Sequence, residues 1–93
     1  MYTLVIYDIT DNDIRMKIAQ ACKEAGLTRI QKSAFLGVID SQTRKSLEIR
    51  LKNILGSNKG NVQIFIICEA DISGRKIIGQ LMEYEEDEEI VFL

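Results

Sequence analysis

Two nearly continuous apolar runs stand out along the chain, residues 2–7 (YTLVIY) and 62–68 (VQIFIIC). Both are rich in β-branched and aromatic side chains, as buried strands are. Between them the apolar spacing changes. Ile14, Ile18, Ala21, Cys22 and Ala25 recur at helical intervals and predict a helix over about residues 11–25, stopped by Gly26. Thr10, followed three residues on by Asp13, resembles a capping box with aspartate in place of glutamate. Leu47, Leu51, Ile54 and Leu55 predict a second helix, opened by Ser41 as N-cap and closed by Gly56.

Residues 28–40 (TRIQKSAFLGVID) read as extended. They make either a tight hairpin broken near Ser33–Ala34 or one bent strand with Gly37 marking a bulge. With the hairpin, the order is β-α-β-β-α-β. That is an α+β, ferredoxin-like sandwich with two helices on one face of an antiparallel sheet. GSNKGN is a loop, residues 76–79 are a short, partly apolar piece, and residues 90–93 (IVFL) predict a terminal strand. A completed core has no use for that strand. It therefore pairs with a sheet edge, and the edge expected in so small a protein is a second subunit's, which makes a homodimer. Residues 1–82 form the domain, and 83–93 an acidic segment and strand of the same functional unit.

Composition narrows the chemistry. The 93 residues hold one core. No run is long enough to span a membrane, and the amino terminus lacks the pattern of a signal peptide, so a cytoplasmic protein is expected. The two cysteines, Cys22 on a helix stripe and Cys68 in a strand, act as small hydrophobes. With no histidine in the chain, zinc sites and Ser-His-Asp or Cys-His catalysis are excluded. Catalysis near neutral pH must use carboxylates, lysine, tyrosine or a carboxylate-bound metal.

The net charge of −2 conceals an asymmetry. Residues 83–89 (EYEEDEE) hold six of the fourteen acidic side chains and none of the twelve basic ones. The rest of the chain is thus basic, twelve against eight, which suits a polyanion partner such as RNA or DNA. Arg15 and Lys17 open the first helix, Arg29 and Lys32 lie in the following strand, and Arg44, Lys45, Arg50 and Lys52 decorate the second. Such charges contact phosphates or simply sit in water. An RNA-recognition module shares the strand order, but its stacking motif is missing and the strand VQIFIIC offers one aromatic, Phe65.

Asp8 is the candidate of greatest interest, because it stands where the first strand gives way to a loop. Two readings compete: a turn residue accepting backbone hydrogen bonds, or half of a magnesium site completed by a twofold axis. Asp11 and Asp13 read as first-turn residues that favour the helix dipole.

The segments LVIYDITDNDIR and AGLTRIQKSAF, with a strand-bearing tail, resemble the small CRISPR-associated protein that is the second of the two universal spacer-acquisition subunits, the Cas-two family. The resemblance is strongest over residues 4–39. It implies a ferredoxin-like homodimer in which Asp8 faces its twin and binds magnesium, with manganese as the alternative ion. It implies a metal-dependent endoribonuclease, or an endonuclease acting on DNA. The alternatives are a catalytically silent scaffold that holds DNA and bridges the CRISPR integrase subunit (the Cas-one family) and, more distantly, a toxin-type ribonuclease. By position, Tyr7, Asp8, Arg15, Arg29 and Phe35 match residues linked to activity in that family. Arg15, Lys17, Arg29 and Lys32 are the expected nucleic-acid contacts. Lys17 stands where an arginine is frequent, and Ser33 matches a recurrent serine.

Overall fold

The computed structural model describes residues 1–84. The expected terminal strand at 90–93, and all but the first two residues of the acidic run, lie outside the described residues. The elements in order are β1 (Tyr2–Asp8), α1 (Asn12–Glu24), β2 (Thr28–Gln31), β3 (Ala34–Val38), α2 (Ser41–Leu55), β4 (Asn61–Ile67) and a short α3 (Glu69–Ser73). The strands form one antiparallel sheet in the order β2-β3-β1-β4, so β1 is central and β4 lies at an edge. This is the expected ferredoxin-like arrangement.

The pleat of β1 divides the sheet into two faces. Thr3, Val5 and Tyr7 are buried, whereas Leu4 and Ile6 are half-buried and Asp8 is exposed. The odd-numbered side chains meet the helices: Val5, Tyr7 and Phe35 share a core with Ile18 and Cys22 of α1 and with Leu47 and Leu51 of α2. The two helices are further tied by an ion pair between Arg50 and Glu24, 2.7 Å and half-exposed. The even-numbered residues share the opposite face with their cross-strand partners Leu36, Val38, Phe65 and Ile67.

Several local expectations are corrected. Helix α1 is capped by Asp11, whose carboxylate accepts from the Ile14 amide at 2.9 Å, rather than by Thr10. Helix α2 is capped by Asp40, which accepts from the Thr43 amide at 2.7 Å, and Ser41 is its first helical residue. In both cases a longer acidic side chain one residue away reaches the free amide and adds favourable charge at the helix start. The hairpin reading of 28–40 holds, with the turn at Lys32–Ser33. The bulge falls between Arg29 and Gln31, not at Gly37, which pairs with Thr3. Gly37 is needed there because a Cβ would come within 3.1–3.2 Å of Leu27 and the Gly26 carbonyl. Strand β4 is not buried as its apolar run suggests: Phe65 and Ile66 are 42% and 51% exposed. Helix α3 has no counterpart in the sequence pattern, being too short to show a period.

Two consequences for stability can be checked. The Thr3 hydroxyl is fully buried with no hydrogen-bond partner. Thr3→Val keeps the shape and removes an unpaired polar group, so thermal melting should show a gain of about 1 kcal/mol. Burial raises the Cys22 thiol from its ordinary 9.0 to about 12, with Arg29 and Arg50 pulling weakly the other way. The folded state therefore holds the neutral thiol while the unfolded chain ionises. Stability should be unaffected by this group below pH 9.0 and fall as pH rises toward about 12. Melting curves of Cys22→Ala against wild type should lose that alkaline slope.

Candidate functional site

Asp8 is the last residue of the central strand and projects from the face away from the helices. Its side chain is exposed and has no hydrogen bond or ion pair among the described residues. Other acids differ: Asp11 and, at the far end of the sheet, Asp40 cap helices, and Asp13 pairs with Lys17 at 3.1 Å. The turn reading of Asp8, a carboxylate engaged by backbone amides, is not what this geometry contains.

The strand end is held in place by its backbone. Asp8 pairs with Asn61, the first residue of β4. Just before it, Gly60 has a φ of +118° and packs so closely that a Cβ would lie 2.6 Å from the Asp8 carbonyl oxygen. On the other flank the Tyr7 amide donates to the Ser33 carbonyl at 3.0 Å. The expected serine thus acts through its backbone, extending the β1–β3 ladder to the hairpin turn. After the strand, Arg15 folds back over the loop, donating from Nη1 to the carbonyls of Ile9 and Thr10 (3.3 Å each) and from Nη2 to Asn12 Oδ1. These bonds fix the chain leaving Asp8.

Tyr7, Arg29 and Phe35 form a separate cluster beneath. The Tyr7 and Phe35 rings stack, with centroids 6.4 Å apart and planes 19° from parallel, and both rings are buried. The Arg29 guanidinium carbon lies 5.0 Å from the Phe35 centroid and 5.9 Å from that of Tyr84. Its Nε is buried without an acceptor. Burial raises the Tyr7 phenol above its ordinary 10.0, partly opposed by the nearby Arg29 charge. A tyrosine so placed is neutral near pH 7. Of the expected residues, the fold therefore joins Tyr7, Arg29 and Phe35 on the helix side. Asp8 stands on the opposite face, Arg15 in the adjoining loop, Lys17 on the exposed side of α1 and Lys32 in the hairpin turn.

The comparisons with known proteins agree with this architecture. Residues 1–75 match the family model described as CRISPR associated protein Cas2. The chain belongs to the Cas2 family. One relative, the CRISPR-associated endoribonuclease Cas2 of Korarchaeum cryptofilum, is 43% identical over 83% of this chain and 83% of its own. Another is the CRISPR-associated endonuclease Cas1/endonuclease Cas2 fusion of Thermoproteus tenax. It is 40% identical over 77% of this chain, which spans 27% of that longer protein. A crystal structure of Cas2 superposes with a TM-score of 0.74 at 26% identity, covering 92% of this chain and 94% of the other. Family membership removes the need for the toxin-type reading.

Sequence reasoning missed the part played by Gly60. The signal was present in GSNKGN, where a second glycine immediately precedes a strand. Gly60→Ala should displace the Asp8 carbonyl and cost more than Gly79→Ala, whose φ of +97° is also positive but whose Cβ position is open. For Gly79→Ala the backbone penalty alone is about 1 kcal/mol. Denaturant melts of the two variants, with amide exchange at Asp8 and Ile9, measure the difference.

Proposed function

We propose that this chain is a metal-dependent endonuclease, with Asp8 of two protomers holding one magnesium or manganese ion that assists phosphodiester hydrolysis. The observation that carries the reading is an exposed, unpartnered carboxylate at the rigid end of a central strand. The endoribonuclease activity for which the Korarchaeum relative is named supports it.

Among the described residues no three ligating side chains cluster, so one protomer offers no closed cage. A single hard oxygen donor per chain suits an ion that takes one or two carboxylates and retains water, as magnesium does. When bound, the ion supplies Lewis acidity toward a phosphoryl oxygen. The chain's own residues supply the rest. Lys32, exposed in the hairpin turn, neutralises phosphate. Arg15 holds the loop after Asp8 and is engaged by three oxygen acceptors, so it positions more than it binds. Tyr7, Arg29 and Phe35 pack beneath the strand end and fix its direction. Lys17, paired with Asp13 at the surface, is a peripheral phosphate contact.

The sheet face bearing Leu4, Ile6 and Phe65 is the natural place for a second copy, because it is apolar and not covered by the helices. A twofold axis passing near the end of β1 would bring two Asp8 side chains, each at the edge of that face, toward one another. A second reading, a silent dimeric scaffold that binds DNA and a Cas1-type integrase subunit, draws on the Thermoproteus relative, in which Cas1 and Cas2 share one polypeptide.

The deciding experiment is a nuclease panel on single- and double-stranded RNA and DNA with magnesium or manganese. Asp8→Asn is nearly isosteric at an exposed site and should leave melting unchanged while reducing cleavage to background, as should excess chelator. Undiminished cutting by Asp8→Asn overturns the mechanism. A wild-type protein that binds duplex DNA and an integrase subunit without cutting any substrate establishes the scaffold instead.

A further inference from the structure

The strand end that carries Asp8 is flanked by two turns, and each presents a lysine. On one side the β2–β3 turn contains Lys32. Ala34 pairs with Ile6, and the Ser33 carbonyl receives the Tyr7 amide, so Lys32 comes level with Asp8. On the other side the α2–β4 loop contains Lys59. Gly60 rests on the Asp8 carbonyl and Asn61 pairs with Asp8, so Lys59 lies two residues from the cross-strand partner of Asp8. That loop is held in shape. The Asn58 amide and side-chain Nδ2 both donate to the Leu55 carbonyl, at 2.9 and 2.8 Å.

The cations expected to bind phosphate are mostly engaged elsewhere. Arg15 is bonded to Ile9, Thr10 and Asn12, Lys17 is paired with Asp13, and Arg29 is stacked on Phe35 and Tyr84. Lys32 and Lys59 are exposed, and neither has a partner among the described residues. An uncommitted ammonium on a flexible stem is suited to a phosphate oxygen, which it meets as a point charge without fixed geometry.

We propose that Lys59 is a phosphate-binding residue of the Asp8 site, gripping a phosphodiester backbone from the β4 flank while Lys32 grips it from the β3 flank. The inference rests on the nucleic-acid reading above and adds the residue that makes the site two-sided. It predicts that the backbone crosses the end of β1 rather than running along either helix. Its sequence tolerance follows, since both contacts are to phosphate.

The test is a fluorescence-anisotropy titration of the full chain with labelled duplex DNA and with single-stranded RNA over a range of salt. Lys59→Ala should bind several-fold more weakly. The slope of log affinity against log salt should become shallower by about 0.9 on duplex, or about 0.7 on single strand, for each phosphate lost. Lys59→Arg should retain the wild-type slope. Lys76, nine residues after β4 leaves the sheet opposite Tyr2, is the comparison, and Lys76→Ala should lose less. Unchanged affinity and slope in Lys59→Ala, or an equal loss in Lys76→Ala, overturns the proposal. If wild type binds and cuts while Lys59→Ala matches it, only the role of Lys59 falls. If wild type binds neither probe, the nucleic-acid reading falls with it.

Discussion

The two-residue pleat of β1 is the constraint from which the rest of the molecule follows. Because β1 is clamped between β3 and β4, its odd side chains must enter the helical core and its even ones must face away. Tyr7 and Asp8, adjacent in sequence, are thereby sent to opposite sides: one into a dry cluster with Phe35 and Arg29, the other into water. A register slip of one residue would bury the carboxylate and expose the aromatic ring. The core thus does more than stabilise the sheet; its apolar partners fix which way the carboxylate points.

Much of this was legible in the residues. The helical spacing of Ile14, Ile18, Ala21 and Cys22 located α1 to within a residue, because the buried stripe that spacing describes is the one the helix uses. The break at Ser33–Ala34 located the hairpin, and the strand-then-loop pattern at Asp8 located the end of the central strand. What was not legible had a common cause. Capping depends on which of two neighbouring polar side chains reaches a free amide, and Thr10–Asp11 and Asp40–Ser41 offer a choice that composition cannot make. Burial of β4 was misjudged for a related reason. Phe65 and Ile66 are apolar whether their cover comes from the same chain or from another, so the pattern records that cover is needed without recording its source.

The basic residues show the same limit more sharply. As a sequence, Arg15, Lys17, Arg29 and Lys32 form one set. In space they divide into a loop clamp, a surface ion pair, a cation stacked on rings and an uncommitted lysine. An arginine whose hydrogen bonds are spent on carbonyls and one whose face is covered by rings have little left for a phosphate. The excess of positive charge is a property of the whole body, while its use at any position depends on what else the side chain already touches.

The contact between Gly60 and the Asp8 carbonyl has an evolutionary consequence. It makes the connection from α2 to β4 a measured spacer, its length set by the distance from the Leu55 carbonyl, which anchors Asn58, to the backbone at the end of β1. Insertions or deletions within residues 56–60 would therefore shift the carboxylate even though none of these side chains is acidic. The hairpin turn at Lys32–Ser33 is also tied to β1, through an amide–carbonyl bond from Tyr7 at 3.0 Å. Length variation among descendants of this fold should accordingly collect after α3 and avoid the short polar loop, whose conservatism would reflect geometry rather than chemistry.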